Sequence, residues 1–196
     1  HANPLRADAQ RVYDELTEQG VTLTPHPWMP DCWLAQGTGN LERLDAFREG
    51  RVYVQDPAAH LAAMAAGVQP GMTVLDACAA PGGKSFAAAM QMKNEGRITS
   101  CDIHPHKLSL IEKGAARLGI DIVRPALQNA AERSEIFLEN MDVVIADVPC
   151  SGLGVIRKKP DIRYKDLAPL EKLPALQSAI LENVSAYLKP GGVLLY

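Results

Sequence analysis

Short apolar runs alternate with helix-like segments from residue 72 to the end of the chain, and this alternation constrains the fold more than any other feature. The runs are rich in aliphatic and β-branched residues, and most of them end at a polar side chain. Uninterrupted apolar strands joined through helices are typical of a parallel sheet that is covered on both faces. The sequence therefore predicts an α/β fold, a Rossmann-like doubly wound sheet, with strands at 72–75, 97–101, 121–127, 142–146 and 193–196.

The helices between these strands carry their own start and stop signals. Pro105 suits the first position of a helix, because the N–H that proline lacks would have no partner there, and Gly119 suits the end of the same helix. A long final helix is predicted to continue until Pro190, with one apolar face made of Leu173, Leu176, Ile180, Val184 and Leu188.

The first 55 residues differ in composition from the rest. Residues 5–19 have the apolar spacing of an amphipathic helix, whereas 21–55 are richer in Pro, Gly and Trp and contain only short strand-like pieces such as 51–54. A helix at 57–66 follows. We therefore divide the chain into a small N-terminal lead-in subdomain, 1–55, and a core, 56–196.

Composition limits the class of protein. The mean hydropathy of −0.08 is ordinary for a globular protein, and no apolar run reaches the roughly 18 residues of a membrane span, so a cytoplasmic protein without a membrane partner is expected. The cysteines stand singly, which predicts free thiols and no metal site. The net charge of −3 is not that of a chain that binds a polyanion over its whole surface, so any contact with a polyanion must be local or must come partly from elements that this chain lacks.

The turn after the first core strand is rich in glycine and leads into a helix. Its glycines allow close backbone approach, and the helix start offers N–H groups without intrahelical partners. A phosphate-binding P-loop would need glycine where Cys78 stands, and the dinucleotide fingerprint G-x-G-x-x-G is also missing. The turn suits a cofactor with a nucleoside and a tail that is not a phosphate, or it is a plain connection between strand and helix.

Polar residues also follow the next three strands. Asp102 comes about 20 residues after the glycines, where a carboxylate accepts hydrogen bonds from ribose hydroxyls, although it could equally cap the adjacent helix. Asn129 could pair with an adenine edge or merely stabilise a turn. Cys150, between proline and Ser-Gly after the fourth strand, is a candidate thiol catalyst.

Three motifs taken together resemble the signature of the RNA 5-methylcytosine methyltransferases, most of all the bacterial ribosomal RNA type, the Sun or Fmu family. They are DACAAPGGKS at 76–85, DVPCSG at 147–152 and KPDIRY at 159–164. The flanking stretches 47–63 and 188–196 also resemble that family, so the likeness covers nearly the whole chain. It implies methyl transfer from S-adenosylmethionine to C5 of a cytosine in RNA, with ribosomal RNA as the expected partner.

The resemblance also implies roles for individual residues. Asp102 would hold the ribose hydroxyls, and Asn129 stands where the family usually has an Asp near the adenine. Asp147 would face both the cofactor and the flipped cytosine, and Lys84 belongs with it to the implied catalytic group. Cys150 corresponds to an auxiliary cysteine that promotes release of methylated RNA. The methionine and ribose portions of the cofactor would be lined by Cys78, Ala79, Ala80, Pro81, Gly82, Gly83 and Lys84.

The attacking thiol of that family lies in a Ser-Thr-Cys stretch after the fifth strand, and the sequence stops at Tyr196, where this stretch would begin. We therefore expect a truncated core that binds cofactor but lacks the principal nucleophile. Two alternatives stay open on the sequence: Cys150 itself is the nucleophile, as in DNA cytosine methyltransferases, or the chain is a non-catalytic cofactor-binding module. A nucleotide-binding oxidoreductase is disfavoured by the missing fingerprint.

Basic residues are densest directly after the thiol motif. This stretch predicts local RNA contact, with a solvated surface loop as the alternative. Its members are Arg157, Lys158, Lys159, Arg163 and Lys165.

Overall fold

The structure, a computed structural model, describes residues 1–164, 166 and 168–196. The RNA contact predicted for Lys165 therefore lies outside the described residues. No helix within these ranges is long and apolar enough to cross a lipid bilayer.

The first 55 residues fold around a small apolar cluster of their own. Helix α1 (Ala9–Glu18) begins where the Asp8 side chain accepts hydrogen bonds from two backbone N–H groups, so the predicted helix at 5–19 starts four residues later than expected. Strands β1 (Thr22–Pro25) and β2 (Trp33–Gln36) form an antiparallel hairpin, and α2 (Asp45–Arg48) is a single turn. The cluster consists of Val12, Leu16, Val21, Leu23, Ala46 and Val52.

The strand expected at 51–54 is wrong, because Val52 makes only an isolated bridge to Ala2. Buried polar contacts tie this region to the core. The Asn3 amide donates to the carbonyls of Gly50 and Leu118, at 2.7 and 2.8 Å. The division at residue 55 stays a prediction.

A five-stranded parallel sheet forms the centre of the core, which confirms the predicted fold class. The strands are β3 (Thr73–Asp76), β4 (Arg97–Asp102), β5 (Val123–Leu127), β6 (Met141–Ile145) and β7 (Leu188–Leu195). Their spatial order is β5-β4-β3-β6-β7, so the chain builds outward from β3 in one direction and then returns to the other side. Ligands of doubly wound sheets bind at this reversal, beyond the carboxyl ends of the strands.

Helices cover both faces of the sheet, because successive strand residues point to opposite sides. Val74 packs in an apolar cluster on the side of α3 (Pro57–Ala65), α4 (Gly83–Gln91) and α5 (Pro105–Leu118). Its neighbour Leu75 packs on the opposite side, towards α6 (Leu173–Ser185). As predicted, α5 begins at Pro105 and ends at Gly119, which adopts a left-handed conformation.

The last helix is shorter, and the last strand longer, than the sequence predicts. Helix α6 ends at Ser185, and Leu188 pairs with Met141 as the first residue of β7. The next matched pair is Val143 with Val193, so the Pro-Gly-Gly segment is accommodated as a bulge inside the strand, with Gly191 at a φ of 84°. Proline and glycine therefore bend this strand rather than preceding it.

Candidate active site

The glycine-rich turn is held rigidly between β3 and α4. Gly82 has a φ of 109°, and a Cβ there would lie 2.4 Å from the Phe86 ring. The same ring also excludes a side chain at Gly114 of α5, where a Cβ would come within 2.5 Å of it. The Ala79 N–H donates to the Cys101 carbonyl at 2.7 Å, which ties the turn to β4. Only glycine fits at position 82, and the first N–H groups of α4 are left facing the sheet edge.

Asp76 forms the floor of this site and is completely buried. Its Oδ2 accepts a hydrogen bond from Ser85 Oγ at 2.7 Å, and Ser85 Oγ lies 2.7 Å from Ser100 Oγ on β4. The other oxygen, Oδ1, is buried without a hydrogen-bond partner. Burial raises the pKa of Asp76 to about 6, although the hydrogen bond from Ser85 opposes the change.

Lys84 and Asp147 form an ion pair across the mouth of the site. Lys84 Nζ, on the first turn of α4, lies 2.6 Å from Asp147 Oδ2, which follows β6. The Asp147 side chain is 60% exposed, so the carboxylate keeps a face towards solvent. The segment after it is anchored by Gln177, whose Nε2 donates to the Pro149 carbonyl at 2.9 Å.

Cys78 lies among the carboxylates at the strand ends. Burial raises the pKa of its thiol to about 12, and the negative charges of Asp76, Asp102 and Asp147 act in the same direction. The thiol therefore stays protonated at neutral pH and is a lining group rather than a nucleophile. Its electrostatic neighbours show that the ends of three strands converge on one space.

Asp102 is buried at the end of β4 and has one oxygen engaged. Oδ1 accepts from the His104 N–H at 2.9 Å and lies 3.8 Å from Lys107 Nζ, as the helix-capping alternative anticipates. Oδ2 has no hydrogen-bond partner among the residues that the structure describes, so one acceptor remains for a ligand. Both readings of the residue are compatible with this geometry.

Asn129 follows β5, but its amide serves a local turn. Nδ2 donates to Glu132 Oε1 at 2.8 Å, and Oδ1 accepts from the Ala131 N–H at 3.1 Å. One N–H of Nδ2 and one lone pair of Oδ1 remain for a further partner such as an adenine edge. The role in adenine binding stays a prediction.

Cys150 is the exposed cysteine, whereas Cys32 and Cys101 are buried. It lies three residues beyond Asp147 on a segment without regular secondary structure, so its thiol is accessible from solvent. Within the described ranges, no three His, Cys, Asp or Glu side chains come together as a metal site.

Two site residues escaped the sequence reasoning. Asp76 closes an apolar strand in the same way as Asp102 and Asp147, and this shared pattern could have singled it out. Gln55 contacts the glycine turn, since its Nε2 lies 3.3 Å from the place of a Cβ at Gly83. No local sequence signal indicates that contact, because residues 55 and 83 meet only in the folded chain.

Comparison with known proteins places this arrangement in a family. The family described as 16S rRNA methyltransferase RsmB/F matches residues 63–196. The probable ribosomal RNA small subunit methyltransferase B of Bacillus subtilis is 39% identical over 197 residues, covering 99% of this chain and 44% of that protein. The Vibrio cholerae ribosomal RNA small subunit methyltransferase B is 33% identical over 199 residues, with coverages of 100% and 44%. The chain thus spans under half the length of these curated relatives.

Solved structures agree with the fold. The crystal structure of PH0851 superposes with a TM-score of 0.94 at 34% identity, covering 98% of this chain and 44% of that one. NSun6 from Pyrococcus horikoshii, solved with SFG, superposes with a TM-score of 0.88 over 98% of this chain and 73% of that one. Its identity of 18% supports the shared fold alone. The family match over more than half of the chain and the identity to the curated relatives confirm the resemblance: this chain belongs to the RsmB/F family of 16S rRNA methyltransferases.

Proposed function

We propose that this chain is the catalytic core of an enzyme that transfers a methyl group from S-adenosylmethionine to C5 of a cytosine in ribosomal RNA, through a covalent cysteine adduct. The observation that carries the proposal is the convergence of the glycine turn, Asp102 and the Lys84–Asp147 pair at the strand ends, with Cys150 three residues beyond Asp147. Family membership supports methylation of small-subunit RNA. A ribosomal substrate would put the protein in the cytoplasm.

The residues present fit the cofactor. The N–H groups at the start of α4, which begins at Gly83, can donate to the carboxylate of the methionine portion. Asp102 Oδ2 can accept from a ribose hydroxyl, and Asp76 is buried beneath the glycine turn. Cys78 and the residues up to Lys84 line the wall between them. When bound, S-adenosylmethionine supplies the electrophilic methyl group of its sulfonium.

The chain's polar groups suit the cytosine half of the reaction. Cytosine C5 is a weak nucleophile until a thiolate adds to C6, so covalent catalysis divides one hard step into easier ones. Asp147 can accept a hydrogen bond from the N4 amino group of the flipped base or, when protonated, donate one to N3. Lys84 holds that carboxylate in position. After methyl transfer a base takes the C5 proton, and the thiolate leaves C6.

Release of the product is the role that we assign to Cys150, with attack assigned to a cysteine that follows β7 in a longer protein. An exposed thiol three residues from Asp147 could instead attack C6 itself. A denaturing gel separates the two assignments. The 196-residue chain would be incubated with S-adenosylmethionine and RNA that carries 5-fluorocytosine, which traps any adduct because its C5 has no proton to lose. A longer protein would be incubated with S-adenosylmethionine and ordinary RNA, in which an adduct persists only if release fails.

Under our assignment the 196-residue chain forms no covalent RNA band, and Cys150→Ala in the longer protein accumulates one, because attack survives while release fails. A band from the 196-residue chain that disappears in Cys150→Ala would make Cys150 the nucleophile. The methyl transfer itself is tested with the longer protein and radiolabelled S-adenosylmethionine, where absence of 5-methylcytosine in the product RNA would overturn the proposed reaction. Calorimetry with S-adenosylmethionine and with NAD tests whether the chain is an oxidoreductase instead.

A further inference from the structure

The segment that follows Cys150 folds back on the thiol motif. It contains two short 3-10 turns, Leu153–Val155 and Pro160–Tyr164. Ile162 Cδ1 lies 3.9 Å from the place of a Cβ at Gly152, so the second turn packs beside the residues next to Cys150. The exposed end of this turn is therefore near the site where a target base must enter.

A surface ion pair links the same segment to the start of α3. Lys158 Nζ pairs with Asp56, the residue that caps the start of α3. The preceding residue, Gln55, contacts the glycine turn at Gly83. The segment is thus linked to Asp56, next to the residue that lies beside the glycine turn, and Lys158 has a partner within the protein. The basic residues of the stretch are consequently not equivalent.

Tyr164 ends the second turn with its ring in solvent. The residue is 82% exposed, more than any other large apolar side chain in the part of the chain that the structure describes. The guanidinium carbon of Arg163 lies 5.6 Å from the centre of the ring. An exposed aromatic ring with a neighbouring arginine, in a segment with four cations and one carboxylate between 157 and 164, combines stacking with attraction for phosphate.

We propose that Tyr164 is a stacking platform for an unpaired base of single-stranded RNA next to the target cytosine. Arg157, Lys159 and Arg163 contact the phosphates of that strand, and Lys158 holds the loop against α3. The inference rests on the proposed function, since it names how the same site takes its substrate.

Single-stranded RNA fits this surface better than a duplex does. In a duplex the bases stack on one another, and proteins contact mainly phosphates and 2′-hydroxyls, so an exposed tyrosine would gain no base contact. A loop or end of RNA offers unstacked bases, and the target cytosine must itself leave its stack to react. A base on Tyr164 would fix the strand beside the entrance.

The test measures binding of a single-stranded RNA of about 12 nucleotides that carries 2-aminopurine next to its one cytosine. We expect Tyr164→Ala to weaken binding by the chain by about fivefold or more, since stacking on one aromatic contributes roughly 1–3 kcal/mol per base. Tyr164→Phe keeps the ring and should stay within about twofold of the unmodified chain. Quenching of 2-aminopurine on binding should disappear in Tyr164→Ala and persist in Tyr164→Phe.

Trp28 provides a matched control, because it is 77% exposed but lies in the turn of the β1–β2 hairpin. Trp28→Ala should leave affinity and quenching unchanged. The slope of log affinity against log salt concentration should become shallower by about 0.7 in Lys159→Ala and stay unchanged in Tyr164→Ala.

Several results would overturn the platform. One is that Tyr164→Ala weakens binding of single-stranded and duplex RNA equally. Another is that Trp28→Ala loses as much affinity as Tyr164→Ala, and a third is that Tyr164→Ala leaves binding and quenching unchanged. The reaction is tested separately by radiolabelled methyl transfer with the longer protein. If that assay fails while RNA binding still depends on Tyr164, only the proposed function is removed. If methyl transfer proceeds and Tyr164→Ala has the same KM for RNA as the unmodified protein, only the platform is removed.

Discussion

Replacing Asp76 with asparagine should change how the stability of this protein depends on pH. Asp76 is fully buried, and burial raises its pKa from 3.8 to about 6. Each pKa unit corresponds to about 1.4 kcal/mol, so the ionised carboxylate destabilises the folded state by about 3 kcal/mol relative to an exposed one. That cost is present in full above pH 6, decreases as the pH falls through 6, and is gone below about 4. The amide introduced by Asp76→Asn does not titrate in this range.

The magnitude follows from proton linkage. The folded protein binds the proton more tightly than the unfolded chain, so acidification between pH 7 and pH 4 should raise the free energy of unfolding of the unmodified chain, relative to Asp76→Asn, by about 2 kcal/mol. Asp142 has the opposite sign and serves as the control. Hydrogen bonds from Lys189 and from the Thr73 N–H lower its pKa, so Asp142→Asn should remove stability that is present at neutral pH and lost on acidification.

Urea unfolding followed by circular dichroism at several pH values measures both differences. The comparison uses the unmodified chain, Asp76→Asn and Asp142→Asn in the same buffers. Altered hydrogen bonding at the mutated site adds a constant cost, so it does not affect how the difference in free energy of unfolding between each variant and the unmodified chain changes with pH. A difference between the unmodified chain and Asp76→Asn that stays flat from pH 7 to pH 4, or that changes in the direction expected for Asp142, would refute the reasoning about Asp76.

Three further predictions concern the cofactor turn and its surroundings. Asp102→Ala should lower the affinity for S-adenosylmethionine, measured by calorimetry, by about tenfold or more, because a hydrogen bond to a charged group contributes roughly 1.5–3 kcal/mol. Unchanged affinity would remove Asp102 from the ribose site. Gly82→Ala should destabilise the fold by more than about 1 kcal/mol, since the φ of 109° and the neighbouring Phe86 ring exclude a Cβ. In the control Gly154→Ala the new Cβ meets nothing within 4 Å, so stability should stay within about 0.5 kcal/mol, and equal thermal shifts of the two variants would contradict this. Lys84→Met should cost less than about 1 kcal/mol in urea unfolding, because Asp147 is 60% exposed, yet reduce methyl transfer by the longer protein at least about tenfold. A large stability loss with normal turnover would make the pair structural.

The sheet and its order of elements could be predicted because local sequence determines them. Buried parallel strands require uninterrupted apolar runs, and the polar residues that end them mark the ligand-binding edge. Asp102 and Asp147 could be assigned to the same edge on this basis. The ion pair between Lys84 and Asp147 could not be deduced, since the two residues are 63 positions apart and meet only when β3 and β6 align.

Other features depended on tertiary contacts that sequence patterns do not show. The apolar spacing of Leu188 continues the helical face of α6, but pairing with Met141 draws it into β7. The amide of Asn129 satisfies a local turn, although its position after a strand resembles that of a ligand-binding residue. In both cases the residue type was compatible with two structures. A strand partner distant in sequence decided the outcome for Leu188, and neighbours in the turn decided it for Asn129.

The ring of Phe86 links the cofactor turn to a neighbouring helix. It occupies the space that side chains at Gly82 and Gly114 would need, at 2.4 and 2.5 Å from their Cβ positions. These three positions should therefore behave as one unit of sequence variation. A larger residue at 114 should be tolerated only together with a smaller one at 86, so that among homologues the two positions exchange volume while position 82, constrained by its backbone, stays glycine.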